Sequence, residues 1–189
     1  MQVYGLTETY GHISQCLWRA EWAELSAAEQ AEMQALQGVA FPMVEGVAVI
    51  DRATGAPVTP DGATQGEVAI RANTVMSGYY RDPAATETAF QDGWFWSGDA
   101  AVVHPNGYMQ IRDRLKDVII SGGENISSVE VEAVLYRHAD VLAAAVVALP
   151  DPKWGEVPRA YVELRDGTAP TAEALIAHCR QHLAGFTTP

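Results

Sequence analysis

RDRLKDVIISGGENISSVEVEAVL, Arg112 to Leu135, is the stretch whose reading decides the fold. It opens on alternating charges, passes through a short apolar run from Val118, meets Gly122-Gly123 and ends in an amphipathic pattern. A glycine pair permits positive φ or a close backbone approach. Ser127 and Glu130 stand at capping-box spacing, and Val131, Val134 and Leu135 form one stripe. The spacing therefore predicts a short strand pair over 118–126 and a helix from about Ser128 to His138. Charged strip, glycine turn and helix start together mark a boundary near residues 112–117, with a new folding unit after it.

Beyond this stretch the texture is α/β. Val141–Leu149 reads as a buried strand, 159–165 as a second, and Thr171 to Ala184 as a helix with the stripe Leu175, Ile176, Cys179 and Leu183. Before it, from Glu45 to about Tyr108, the texture is β. EGVAVID and GEVAIRA alternate as strands around a turn-rich segment, and PNG at 105–107 is a hairpin signal. Asp82-Pro83 starts a short helix, and Ser26 with Glu29 caps a longer one that Gly38 closes. Residues 2–5 read as a strand end and Gly5–Gly11 as a polar loop. Trp18 and Trp22, four apart, read as a hydrophobic clasp. The predicted class is α/β (α+β), a small antiparallel barrel-like part followed by a compact α/β domain.

Of the 189 residues, 48% are hydrophobic, which is enough for a core. The net charge of −12 argues against nucleic acid and anionic membranes as bulk partners, because phosphate surfaces need clustered cations. Cys16 and Cys179 form neither a disulfide framework nor a zinc pattern, and this usage suits a reducing cytoplasm. The longest apolar run is too short to span a bilayer, and the N-terminus carries no signal-peptide pattern. Both ends look like cuts, which predicts a piece of a longer chain.

Three places could carry chemistry. In YGLTE, Tyr4 could stack on a planar base, Gly5 could admit a ligand, Thr7 could donate to phosphate and Glu8 could hold magnesium. An ordinary turn after a strand is the competing reading. In WFWSGD, Asp99 is either a turn former or an acceptor for ligand hydroxyls, as carboxylates are for ribose. Around Arg114, Lys116 and Asp117, the alternatives are a solvated charge cluster and a ligand contact.

Taken in order, YGLTE, WFWSGD and DRLKDVIISGGENISSVEVE resemble the adenylate-forming enzymes: acyl-CoA and aryl-CoA synthetases, firefly luciferases and the adenylation domains of peptide synthetases. The resemblance covers essentially the whole chain and leans toward fatty acyl-CoA synthetases, the AMP-dependent acid ligases. It implies that a carboxylic acid, ATP and CoA react with magnesium through an acyl adenylate. It implies residues 1–112 as part of the adenylating domain, 113–117 as a hinge and 118–189 as a mobile C-terminal domain. By the same resemblance Tyr4, Thr7, Asp99, Ile111 and Arg114 meet the nucleotide, Glu8 serves the metal and Lys116 is the hinge residue. Gly122, Gly123, Glu124 and Trp154 would line the pantetheine tunnel, and Gly5, Gly11 and His12 would border the acyl pocket. Plain packing is the competing reading for His12.

The sequence also departs from the family pattern. A Gly/Ser/Thr-rich phosphate loop ending in Pro-Lys-Gly is absent, as is the catalytic lysine of a Thr-Gly-Lys motif. GFTTP stands where many relatives have GFKTPK, with Thr187 in place of lysine. The expectation is that the full-length protein is an enzyme and this piece alone is inactive. The missing packing partner predicts exposed apolar surface and self-association as a homo-oligomer. Two competitors are an adenylation domain that loads a carrier protein and a non-catalytic nucleotide-binding or interaction module. Retention of Asp99, Arg114 and Lys116 favours catalysis.

Overall fold

The computed structural model describes residues 2–183. Ala184, at the end of the predicted last helix, and Thr187 lie outside the described residues. The chain divides into two compact units, Met1–Ile111 and Arg112–Pro189.

The first unit begins with a hairpin where the sequence suggested a strand end and a loop. β1 (Val3–Leu6) and β2 (Gly11–Gln15) pair antiparallel across a 3-10 turn at Thr7–Thr9. The buried Thr9 hydroxyl closes that turn, accepting from Leu6 N–H at 2.9 Å and lying 2.7 Å from the Gly11 carbonyl. The sequence missed β2 because glycine, histidine and serine obscure its alternation. α1 (Ala27–Ala35) begins as predicted: Ser26 Oγ accepts from Glu29 N–H, and Glu29 reaches back to Ser26 N–H at 2.8 Å. The exposed Glu29 carboxyl is held below its usual range, chiefly by the Ser26 hydroxyl.

Gly38 does not cap this helix. The helix ends at Leu36 in extended backbone, and Gly38 bridges to Met109 with φ +76. β3 (Val39–Ala40) then adds to β2. Trp18 and Trp22 meet edge-on, with ring centres 5.7 Å apart, and Trp22 packs with Cys16, Leu36 and Tyr108.

A second, open antiparallel sheet follows. Its strands are β4 (Gly46–Asp51), β5 (Ala56–Pro57), β6 (Gly66–Arg71), β7 (Phe90–Gln91), β8 (Trp94–Val103) and β9 (Met109–Arg114). The order is β5-β4-β6-β8-β7, with β9 also on β8 through the PNG turn. α2 (Pro83–Ala89) starts with Asp82 accepting from Ala85 N–H. Ile13 of the small sheet joins Val49, Val68, Ile70 and Phe95 of the large one in a shared core. The alternate positions of the same strands, Ile50, Ala69 and Trp96, form a separate apolar cluster with Ala48 and Trp94, so the large sheet buries apolar side chains on both faces.

In the second unit, β10 (Ile119–Ser121) and β11 (Glu124–Ile126) form a hairpin whose two turn residues are Gly122 and Gly123. Their φ angles of +60 and +91 are what a two-residue turn requires, which accounts for the glycine pair. α3 (Ser128–Leu135) is one turn shorter than the sequence suggested. β12 (Val141–Asp151) and β13 (Gly155–Leu164) are long and paired throughout, giving the order β11-β10-β13-β12.

β12 is not the fully buried strand that its apolar run implied. Val141 and Val146 are buried, while Leu142, Val147 and Leu149 are exposed. α4 (Ala172–His182) is capped by Thr171 and, with α3, covers one face of this sheet. Cys179 is buried there, and that burial pushes its thiol pKa up, as expected of a structural cysteine. Among the described residues no helix is long and apolar enough to cross a membrane.

Candidate functional site

In the first unit the structure brings together two of the three motifs. Tyr4 projects from β1 and donates its hydroxyl to Asp99 Oδ2 at 2.6 Å, joining residues 95 apart in sequence. Asp99 is 5% exposed and therefore nearly buried. It sits in an irregularity of β8. Glu67 pairs with Ala100 and Ala69 pairs with Trp96, so three residues of β8 face one residue of β6. Ser97, Gly98 and Asp99 form this bulge, with Gly98 at φ +76. Ser97 Oγ accepts from Asp99 N–H at 3.1 Å, and Glu67 Oε1 accepts from Gly98 N–H at 2.9 Å.

Tyr4→Phe removes the donor to Asp99 and should lower stability by about 1.5 kcal/mol, the lower end of the range for a hydrogen bond to a charged group. Urea unfolding of the variant reads this directly, and an unchanged midpoint would count against the bond.

The remaining YGLTE residues lie on the same hairpin. Thr7 is exposed on its turn, and Glu8 is half-buried. Glu8 Oε1 accepts from the Tyr79 hydroxyl at 3.1 Å, while its carbonyl accepts from Met76 N–H. Burial, and next the Glu8 carboxylate, push the Tyr79 phenol pKa up. Among the described residues there is no group of three or more His, Cys, Asp or Glu able to hold a metal. Magnesium commonly takes one or two protein carboxylates and completes its shell with water and substrate phosphate oxygens, so a single Glu8 fits that donor set.

The glycines on this hairpin have separate causes. A Cβ on Gly5 would strike the Gly11 carbonyl and lie 2.6 Å from His12 Cα, so close strand approach requires glycine there. Gly11 faces open space at φ +140. His12 is exposed and packs edge-on against Phe41, with ring centres 4.5 Å apart. Ile111 is half-buried against the sheet core, and its N–H donates to Gln37 Oε1 at 2.6 Å.

In the second unit, Arg114 and Lys116 are exposed on a turn closed by Asp117 and Val118 N–H groups on the Arg114 carbonyl. Just before it lies a residue that the sequence reading passed over. Asp113 is buried, and its Oδ2 accepts from Ser128 N–H at 2.8 Å and from the Ser127 and Ser128 hydroxyls at 3.1 Å each. This carboxylate seals the N-terminus of α3, where the helix dipole also favours negative charge. The paired serines, fourteen and fifteen residues on, were the available signal.

Trp154 lies over the Gly122 turn. Gly122 N–H donates to the Trp154 carbonyl at 2.8 Å, and a Cβ at Gly122 would meet the indole at 2.9 Å. Gly122, Glu124 and Trp154 line one end of a groove of about 1090 Å³. The groove continues along Ala160 and Val162 of β13 to Leu175 and Ile176 of α4. Gly123 is at the exposed tip of the turn, with open space where a Cβ would lie.

Residues 1–80 match the AMP-binding enzyme family, and residues 130–189 match the C-terminal domain of AMP-binding enzymes. A 2-methylpropanoate–CoA ligase of Humulus lupulus is 50% identical over 98% of this chain and 34% of its own length. 4-Hydroxybutyrate–CoA ligase 2 of Metallosphaera sedula is 51% identical over 99% of this chain and 34% of its own. Among solved structures, the o-succinylbenzoate coenzyme A synthetase of Bacillus subtilis in complex with ATP and magnesium superposes with a TM-score of 0.81. It is 32% identical over 100% of this chain and 36% of its own. The chain thus spans about a third of the length of the curated relatives it matches. With both family matches in chain order and identity near one half, the chain belongs to the adenylate-forming, AMP-binding enzymes.

Proposed function

We propose that the full-length protein is an AMP-forming acid–CoA ligase acting on a short- or medium-chain carboxylic acid. The observation that carries the reading is the Tyr4–Asp99 bond, which sets an aromatic ring and a nearly buried carboxylate side by side. A ring beside a carboxylate suits a nucleoside, one for the base and the other for the ribose hydroxyls. Thr7 then donates to phosphate oxygens, and Glu8 offers a ligand to magnesium. Ile111 packs beneath the nucleotide, and Arg114 is a further donor to it. Magnesium, when bound, balances charge on the phosphates.

In the first half-reaction a carboxylate oxygen of the acid attacks the α-phosphorus of ATP. The bond to pyrophosphate breaks, and acyl-AMP remains. In the second, the sulfur of CoA attacks the acyl carbonyl, the thiol gives up its proton, and the carbon–oxygen bond to AMP breaks. Lys116, on its exposed turn, is the proposed pivot between the two. Gly122, Gly123, Glu124 and Trp154 border the pantetheine path. Gly5, Gly11 and His12 border the acyl group. The curated relatives are named for different small acids, which supports the class of substrate rather than one acid. The phosphate loop and the catalytic lysine are proposed to lie outside residues 1–189 of the full-length protein.

The full-length protein should release pyrophosphate with a panel of short and medium acids and form acyl-CoA when CoA is added. The 189-residue polypeptide should form none. Acyl transfer to a phosphopantetheine carrier protein but not to CoA would overturn the acceptor. Absence of acid-dependent ATP–pyrophosphate exchange in the full-length protein would overturn the ligase reading.

A further inference from the structure

Glu67 is a carboxylate where a sheet has no obvious use for one. It lies in the apolar strand GEVAIR, is 4% exposed, and is flanked by Val68, Ala69 and Ile70, all buried. Burying a carboxylate is costly unless it is paired and hydrogen-bonded. Both of its oxygens are engaged. Oε2 meets Arg52 Nη1 at 3.0 Å, and Oε1 accepts from Gly98 N–H at 2.9 Å. Arg52 is itself fixed from several sides. Its guanidinium lies over the Trp96 ring at 4.8 Å and donates to the Thr88 carbonyl and Gln91 Oε1 at 3.3 Å each.

The partner of Oε1 gives this arrangement its meaning. The bulge at Ser97–Asp99 interrupts the β6–β8 ladder, so the main-chain donors within it need other acceptors. Ser97 supplies one for Asp99 and Glu67 supplies one for Gly98. The bulge would otherwise relax toward regular pairing, and a shift of one residue turns a side chain to the opposite face of the sheet. Asp99 is the side chain at stake.

We infer that Glu67, held by Arg52, is a positioning residue: it clamps the Gly98 turn so that the Asp99 carboxylate stays beside Tyr4 and faces the nucleotide. The inference rests on the proposed ribose role of Asp99. It adds an acceptor and its cation, Glu67 and Arg52, that touch neither nucleotide nor acid.

The test uses the full-length enzyme and four variants. Glu67→Met removes the acceptor and should weaken ATP binding about tenfold, as loss of a hydrogen bond to a charged group does. KM for the acid should stay within about twofold, because a hydrogen bond confined to the nucleotide side contributes nothing to acid binding. Amide exchange at Gly98 and Asp99 should accelerate. Glu67→Gln keeps an acceptor for Gly98 N–H and should restore most of the ATP affinity and the slow exchange. Glu67→Asp keeps the charge but shortens the reach and should resemble Glu67→Met, which covers the case where methionine prevents folding. Asp99→Asn is the control for the underlying reading. If Asp99→Asn loses ATP affinity while Glu67→Met and Glu67→Asp keep it, the positioning role is overturned. Equal losses for ATP and acid in Glu67→Met, not rescued by glutamine, also overturn it. If Asp99→Asn itself binds ATP normally, it is the ribose reading that falls.

Discussion

Gly5→Ala should cost about 3 kcal/mol in denaturant unfolding of the first unit, the upper part of the usual range for forcing extra volume into a packed site. Gly5 has no positive φ, so the cost does not come from backbone strain. It comes from the opposite strand. The new methyl would meet the Gly11 carbonyl and His12 Cα, which are main-chain atoms that cannot rotate away. Relief requires β1 and β2 to part, at the residue next to Tyr4. In the full-length enzyme the same variant should weaken ATP binding, because the Tyr4–Asp99 bond depends on the position of that strand. Gly107→Ala is the comparison. Gly107 has φ +81 and nothing near its Cβ position, so alanine there should cost only about 1 kcal/mol of left-handed strain. A Gly5→Ala loss no larger than that of Gly107→Ala would show that the close strand approach does not govern this hairpin.

Asp113→Ala should be as damaging to the second unit, again by about 3 kcal/mol, because it strips the partner of a buried main-chain N–H and of two hydroxyls. Ser128 is 7% exposed, so water does not readily replace the lost acceptor. Asp113→Asn keeps one acceptor oxygen and loses the charge that the helix dipole favours, so about half the loss is expected. Hydrogen exchange over Ser128–Leu135 should rise in both variants, more in alanine. Ser127 still accepts from Glu130 N–H at 3.2 Å, so α3 keeps one cap in either case. A loss below about 1 kcal/mol, the typical worth of an ordinary cap, would mean that Ser127 alone fixes the helix start.

These two residues show how differently the two parts of the candidate site could be read in the sequence. The motif that contains Gly5 was visible, but the reason for the glycine was not. A ligand approach and a strand contact require the same absence of Cβ. Asp113 stood inside the most informative stretch of the chain and passed as one charge among several. Only the fold brings it against Ser127 and Ser128. Glu67 was hidden in the same way, inside a segment that reads as an ordinary strand.

What the sequence determined by itself was whatever side chains settle within a few residues. Ser26 with Glu29, Asp82 with Pro83 and Thr171 start helices where they stand, because a cap reaches only three residues ahead. Gly122-Gly123 and Pro105-Asn106-Gly107 turn the chain through positive φ at their glycines, which is again a local property. Family membership was legible too, because its motifs are contiguous. Tertiary structure decided the rest. It chose which face of β12 is buried, which carboxylate holds Gly98 from thirty-one residues away, and that Tyr4 meets Asp99 across ninety-five. Each of these depends on strand register and on a bulge, and register is set by the packing of whole faces rather than by any residue's own preference.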